Sequence, residues 1–198
     1  MEQPCIKVSF ITVNYNGYAH TLNLLDTILG AALSFFYEVI VIDNGSSVNE
    51  FEALQTKYPE IRGIYHPENL GFAGGSNLGI DLARGEYLYF LNNDTLLPED
   101  ADNQIAAMIN FCQHHPQVGG LSPKIMYNSP PNLIQFAGST PLSTITLRNR
   151  QIGYQEQDIG QYNTMKEIPY MHGAAMFVPQ KVVVTCGKLP ACYFLYYE

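Results

Sequence analysis

The sequence predicts an α/β domain with a mostly parallel sheet covered by helices on both faces. Two observations carry this. Short β-branched, apolar runs alternate with stretches of helical periodicity, the signature of parallel strands joined by crossover helices. Each run also stops abruptly at Asn, Asp or His. Right-handed crossovers gather such strand ends along one edge of the sheet, where open α/β sheets bind ligands.

The elements follow in order. Val8 to Val13 is the first strand, and Asn14 to Gly17 is a turn. Leu22, Leu25, Ile28 and Leu29 recur at helical spacing. Glu38 to Ile42 is a second buried strand, ended by Asp43 to Ser47. Phe51, Leu54 and Tyr58 mark a helix that stops before Pro59. Ile61 to Tyr65 is a third strand, and Leu78, Leu82 and Ala83 lie on the helix after it. Tyr87 to Leu91 is the fourth strand, and Pro98 opens a helix that runs to about His114. The pattern changes after Gly119. Leu121 to Met126 and Ile134 to Ala137 read as short strands, and Thr140 to Glu167 as a long polar loop. Pro169 to Val178 reads as a late strand with a small-residue kink. One domain of 1–198 is expected, divided at about 118 into a Rossmann-like half and a second half.

Composition narrows the function. Apolar content of 46% with 14% charged residues is that of a folded globule. A net charge of −8 argues against non-specific nucleic-acid binding, yet a divalent cation can still bridge such a chain to an anionic nucleotide. Cys5, Cys112, Cys186 and Cys192 form no C-x-x-C pair and read as buried free thiols in a reducing cytoplasm. The N-terminus carries no secretory pattern, so the Asn44 and Asn93 sequons are expected to be chance matches. No apolar run is long enough to span a membrane.

Four clusters are candidates for chemistry. Asn92, Asn93 and Asp94 end the fourth strand. Asp94 can serve as a carboxylate ligand to Mg²⁺ or Mn²⁺ shared with phosphate oxygens, or as a turn or helix-capping residue before Pro98. Asp43 and Asn44 can bond a base or ribose; alternatively they form a β→α turn with Ser46 or Ser47 as the helix cap. Asn69 to Asn77 is glycine-dense and leads into a helix whose N–H groups can cradle an anion; a plain β→α connection is the alternative. His172 to Ala175 offers small residues for close ligand approach, or a structural kink. His114 and His115 end a helix and His66 precedes Pro67; none is assigned a role.

Taken in order, Ile11–Gly17, Val41–Ser47, Asn69–Asn77, Leu91–Thr95, His172–Met176 and Phe194–Glu198 resemble the family 2 glycosyltransferases, in particular their rhamnosyltransferase-like branch. The resemblance implies the GT-A nucleotide-diphospho-sugar transferase fold, with a nucleotide-binding half (1–118) and an acceptor-side half (119–198). It implies an inverting transfer from a nucleotide-sugar, dTDP-rhamnose or a UDP-sugar, to a saccharide or lipid-linked saccharide. The setting would be bacterial surface polysaccharide synthesis, with Mg²⁺ or Mn²⁺ as cofactor. Val13, Asn14 and Tyr15 would line the nucleobase, and Asp43 and Asn44 would hold base or ribose. Asn69, Gly74 and Asn77 would sit by the diphosphate and sugar. Asn93 and Asp94 fall where the family keeps its Asp-x-Asp motif, so Asp94 is the only carboxylate there. His172, Gly173 and Ala174 would border the acceptor.

Glu198 would be the catalytic base. In the family a second acid and a helix follow that position, so the chain reads as C-terminally truncated, able to bind nucleotide and poor at transfer. The protein would act in the cytoplasm at the inner face of the membrane, associated peripherally through the region after Glu198. A sugar-1-phosphate nucleotidyltransferase would need a basic loop after the first strand, and residues 14–20 hold no Lys or Arg. A non-catalytic nucleotide-sugar-binding domain, or an inactive fragment, is the rival reading.

Overall fold

The computed structural model describes residues 5–146 and 148–194. Its central sheet has the order β3-β2-β1-β4-β7. Strands β1 (Val8–Asn14), β2 (Tyr37–Asn44), β3 (Arg62–His66) and β4 (Tyr87–Leu91) are parallel, and β7 (Ala175–Pro179) pairs antiparallel with β4. The intervening helices are α1 (Tyr18–Gly30), α2 (Glu50–Lys57), α3 (Gly71–Leu82) and α4 (Ala101–His114). A two-stranded ribbon of β5 (Ile125–Met126) and β6 (Ile134–Phe136) and a short helix α5 (Gln180–Cys186) complete the elements.

Period-2 alternation sorts the sheet side chains onto two faces. Val8, Phe10, Val39, Val41, Tyr89 and Phe177 pack with Leu24, Leu25, Leu54 and Ile105 of α1, α2 and α4. Ile11, Ile40, Ile42, Leu88 and Phe90 pack on the opposite face with Ile80 of α3 and partly buried Val182 and Val183 of α5. Helices therefore cover both faces, as the alternation predicts. Both faces being apolar explains why β2 and β4 read as continuous apolar runs. At the edge opposite the strand C-termini, buried Glu38 accepts from Ser9 Oγ (2.7 Å) and Arg84 N–H (2.6 Å) and pairs with Arg62.

The glycine-dense segment is the first part of α3 itself. Its glycines let this helix lie close on the sheet. A Cβ on Gly79 would sit 2.4 Å from Ile11 Cγ2, and one on Gly75 would sit 2.8 Å from Val13 Cγ1. These are packing glycines, and φ at both is ordinary.

Four expectations are corrected. The late strand starts at Ala175, because the chain before it turns at His172–Ala175. Leu121 makes only an isolated bridge with Phe177, so the strand expected over 121–126 shrinks to β5. The 140–167 stretch is not a free loop over its first part. Backbone bonds such as Ala137 N–H to Ile152 O (2.9 Å) and Thr140 N–H to Arg150 O (3.0 Å) fold residues 139–146 and 148–151 into an irregular hairpin. Of the cysteines only Cys112 is buried; Cys5, Cys186 and Cys192 are exposed. Cys112 alone lies on the apolar face of a core helix.

Replacing Gly79 by Ala forces either α3 or Ile11 to move, and Ile11 is fully buried. Gly79→Ala is expected to destabilise the domain by about 1–3 kcal/mol, despite the higher helix propensity of Ala. Urea unfolding checks this, and unchanged or increased stability contradicts the close-packing account.

Candidate active site

Strand β1 has β2 on one side and β4 on the other. The chain direction of winding reverses there, which opens a crevice at the strand C-termini. Asn14, the last residue of β1, is fully buried at its base. Its Nδ2 donates to Glu50 Oε2 at 2.7 Å and lies 3.3 Å from both Asp43 Oδ1 and Ser46 Oγ. Its Oδ1 accepts from Thr21 Oγ1 at 2.7 Å and from Asn93 Nδ2 at 3.5 Å. Asp43 Oδ2 accepts the Glu50 and Phe51 N–H groups at 2.7 and 3.2 Å, anchoring the start of α2. The cap expected from Ser46 or Ser47 is made instead by Asn49, which accepts from Glu52 N–H. Thus Asn14 and Asp43 face inward and brace the crevice floor. Val13 is partly buried, and Tyr15 is 52% exposed on the loop above.

Asn44 and Asn69 meet at the start of α3. Asn44 Nδ2 donates to Asn69 Oδ1 (3.1 Å) and Gly71 O (3.0 Å), while Asn44 Oδ1 accepts Leu70 N–H (3.0 Å). Asn69 Oδ1 accepts Gly71 N–H (2.9 Å), and Phe194 O accepts Phe72 N–H (3.0 Å). The first donors of α3 are therefore already satisfied, two by asparagines and one by the returning chain. Gly71 has φ +73°, and a Cβ there would lie 2.1 Å from Phe194 O. Gly74, buried one turn later, packs on Leu70.

Asn77 stands apart from the crevice floor. Its Nδ2 donates to Leu189 O (2.8 Å) and its Oδ1 accepts Leu189 N–H (3.0 Å), so one side-chain amide clamps both backbone polar groups of one residue. Lys188 pairs with Asp81 one turn further along α3. Together with the Phe194 contact, these bonds fasten residues 188–194 along this helix.

The turn after β4 divides its two polar side chains. Asn93 points inward, donating to Thr21 Oγ1 (3.1 Å) and Asn14 Oδ1. Asp94 is exposed, and its carboxylate enters no hydrogen bond or ion pair among the described residues. No cluster of three or more His, Cys, Asp or Glu is placed to hold a metal among those residues. A single outward carboxylate suits a hard divalent cation that takes its other ligands from phosphate and water. The donor set fits Mg²⁺ or Mn²⁺ in that limited sense.

Because β7 is antiparallel, its N-terminal end arrives at the same edge. Ala174 O accepts Asn92 N–H (3.1 Å) and Thr95 Oγ1 (3.3 Å), which ties the Asp94 turn to the His172–Ala174 segment. Gly173 approaches Phe72 of α3. His172 Nδ1 accepts Ala174 N–H at 3.2 Å, and its ring lies 5.1 Å from that of Phe136. Burial holds its pKa below the ordinary histidine value. Glu198 lies outside the described residues.

Thr21 and Glu50 belong to this site and were not singled out from the sequence, and Ser46, expected there only as a helix cap, faces Asn14 instead. Their periodicity and position read as helix and turn residues. Asn49 and Glu50 at a helix start were the signal available for Glu50.

A polar crevice at the switch point of a doubly wound sheet defines a nucleotide-binding type of α/β domain. The model of glycosyl transferase family 2 matches residues 9–182, and the chain belongs to that family. It is 28% identical over 197 residues to the low-salt glycan biosynthesis hexosyltransferase Agl10 of Haloferax volcanii, covering 96% of this chain and 58% of that one. An uncharacterized glycosyltransferase of Rickettsia felis is 34% identical over 96 residues, 48% of this chain and 16% of its own. The fold matches GT-A glycosyltransferases. The mannosyltransferase PcManGT from Pyrobaculum calidifontis, in complex with GDP-Man and Mn²⁺, superposes with TM-score 0.63 at 18% identity. That match covers 96% of this chain and 49% of PcManGT. Staphylococcus aureus TarS 1–349 with UDP gives 0.61 at 19% identity, over 96% and 52%. The chain thus spans 58% of the Haloferax relative and about half of these structures. No helix among the described residues is long and apolar enough to cross a membrane.

Two outcomes follow from this geometry. A histidine held neutral by burial stabilises the fold above its unfolded pKa, about 6.5. That contribution is lost as pH falls through the lower folded value. The wild type should therefore lose more unfolding free energy than His172→Gln between neutral pH and about pH 5, as thermal melts at stepped pH will show. Equal slopes would remove the burial argument. Asn77→Ala deletes both bonds to Leu189, a loss of about 1–3 kcal/mol held locally. Amide exchange at Leu189 should rise about tenfold or more while the sheet amides stay protected; unchanged exchange there contradicts the clamp.

Proposed function

We propose that the chain binds a nucleotide-diphospho-sugar in the β1/β4 crevice and transfers its sugar, with inversion, to a saccharide or lipid-linked saccharide. The observation that carries this reading is the outward Asp94 carboxylate at the switch point, beside a floor of satisfied polar groups. Residues 1–118 form the nucleotide half and 119–198 the acceptor side. The Haloferax relative is named a hexosyltransferase, and the two structural neighbours carry GDP-Man or UDP. Those names support a hexose donor on UDP or GDP. Rhamnose from dTDP-rhamnose rests on the branch resemblance alone, as does surface polysaccharide as the product class.

Exposed Tyr15 provides a stacking face for the base. Asn14, Asp43 and Asn93 hold the loops around the donor without needing to contact it. The Asn44–Asn69 pair sets the first turn of α3 beside the diphosphate and sugar. Asp94 would hold the cation, which when bound would offset the charge of the departing diphosphate. Gly173 and Ala174 border the acceptor, and His172 orients that segment through the Ala174 N–H. Glu198 takes the proton from the acceptor hydroxyl. The oxygen attacks the anomeric carbon as the bond to the diphosphate breaks on the opposite face. A non-catalytic nucleotide-sugar-binding role is favoured by the lone carboxylate, and the same experiment separates the two.

Titration calorimetry with UDP, dTDP and GDP, with and without Mn²⁺, tests the donor site. Binding should tighten with Mn²⁺, and Asp94→Asn should remove that gain, a loss of about tenfold or more. A parallel assay of sugar release from the matching donor should show turnover in the wild type and little in Asp94→Asn. Metal-independent binding without turnover would establish the binding-module reading instead.

A further inference from the structure

The hairpin formed by residues 139–146 and 148–151 carries an unusual combination of exposed groups. Its stem is closed by Thr140 N–H to Arg150 O (3.0 Å) and Arg150 N–H to Thr140 Oγ1 (2.9 Å). Towards the tip, Ser143 N–H donates to Arg148 O (2.9 Å), and Ser143 Oγ accepts from Ile145 and Thr146 N–H. The tip is thus a hydrogen-bonded turn that projects two aliphatic side chains. Ile145 is 91% exposed and Leu142 55% exposed. Arg148 and Arg150 flank a groove of about 400 Å³ beneath them, together with the hydroxyl-bearing Thr140, Ser143 and Thr146.

The charge distribution sharpens the contrast. The chain carries −8 overall, yet no Asp or Glu occurs between Asp102 and Glu156. Lys124, in that stretch, is paired with Asp158. Arg148 and Arg150 enter no ion pair among the described residues. The hairpin therefore presents two guanidinium groups behind an apolar tip, on an otherwise acidic molecule.

We infer that this hairpin is a docking element for an anionic lipid surface, with Ile145 and Leu142 entering the headgroup–acyl boundary and Arg148 and Arg150 engaging lipid phosphates. Aliphatic groups on a basic element partition into that boundary, and the surface potential of anionic lipid adds to the attraction for each arginine. Guanidinium forks match phosphate oxygens in pairs. A soluble anion would use the arginines and leave the exposed Ile145 and Leu142 without a role. A stable protein interface needs roughly 800 Å² per partner, far more than one narrow turn supplies. The hairpin stem also adjoins the acceptor side: Ser139 Oγ donates to Tyr170 O at 3.2 Å, two residues before His172. A membrane held at the tip would lie on that side of the molecule.

Co-sedimentation of the whole chain with phosphatidylcholine vesicles, with and without phosphatidylglycerol, tests this without requiring turnover. Binding is expected to the anionic vesicles and to weaken as salt rises. Arg148→Ala combined with Arg150→Ala should lower affinity about thirtyfold, and Ile145→Ser should lower it separately. All three side chains are exposed, so circular dichroism and melting temperature should be unchanged. Equal binding to both vesicle types, or variants that bind as wild type, would overturn the inference. So would absence of vesicle binding with inorganic phosphate bound at the arginines, or a dimer in light scattering that Ile145→Ser dissociates.

Discussion

The site depends on one buried side chain. Asn14 closes β1, and its amide joins groups from five places: Thr21 of α1, Asp43 of β2, Ser46 of the following loop, Glu50 of α2 and Asn93 after β4. An amide has two hydrogens and one oxygen, and the Glu50 bond at 2.7 Å and the Thr21 bond at 2.7 Å are its short ones. In a low-dielectric floor an unpaired donor or acceptor is costly. The loops are therefore not free to choose their positions. The turn holding Asp94, the loop holding Tyr15 and the start of α2 sit where this amide is satisfied.

A second constraint acts from the other face. Helix α3 lies so near the sheet that Gly75 and Gly79 have no room for a side chain. That closeness brings its N-terminal turn level with Asn44 and Asn69, whose oxygens take the Leu70 and Gly71 N–H groups. The Phe72 N–H is taken by Phe194 O. An anion approaching this helix start meets donors already bonded. It would have to compete with Phe194 or rely on the positive end of the helix and a cation at Asp94. The crevice and the chain at Phe194 are thus mechanically linked through one helix terminus.

The fold was largely legible in the sequence because both periodicities were clean. Alternation of Phe10 with Ile11, or Tyr89 with Phe90, maps directly onto the two faces of the sheet. Candidate positions Asn14, Asp43, Asn44, Asn69, Asn93 and Asp94 could be collected because strand ends converge by topology alone. Their individual orientations could not. Whether Asn93 or Asp94 turns inward depends on Thr21, seven residues past Asn14 on α1, and no local pattern encodes that pairing. The Asn77–Leu189 clamp joins residues 112 apart, a distance no spacing rule covers. The hairpin after Ser139 was missed because its two arms are joined by single backbone bonds and one isolated bridge, leaving no period-2 apolar signal.

The inward turn of Asn93 also explains why an amide suits this position better than a carboxylate. Asn93 Nδ2 donates to Thr21 Oγ1 and Asn14 Oδ1, and lies against Gly17, where a Cβ would come within 2.4 Å of it. An Asp at 93 would aim a carboxylate oxygen at the Asn14 oxygen and remove the donor that the Asn93 side chain gives to the floor. It would also add negative charge to a floor that already contains Asp43 and Glu50. Like charges in such a setting raise one another's cost of ionisation. In this network the amide at 93 and the carboxylate at 94 are complementary choices. The donor side chain satisfies the floor, and the charged one is left exposed to solvent.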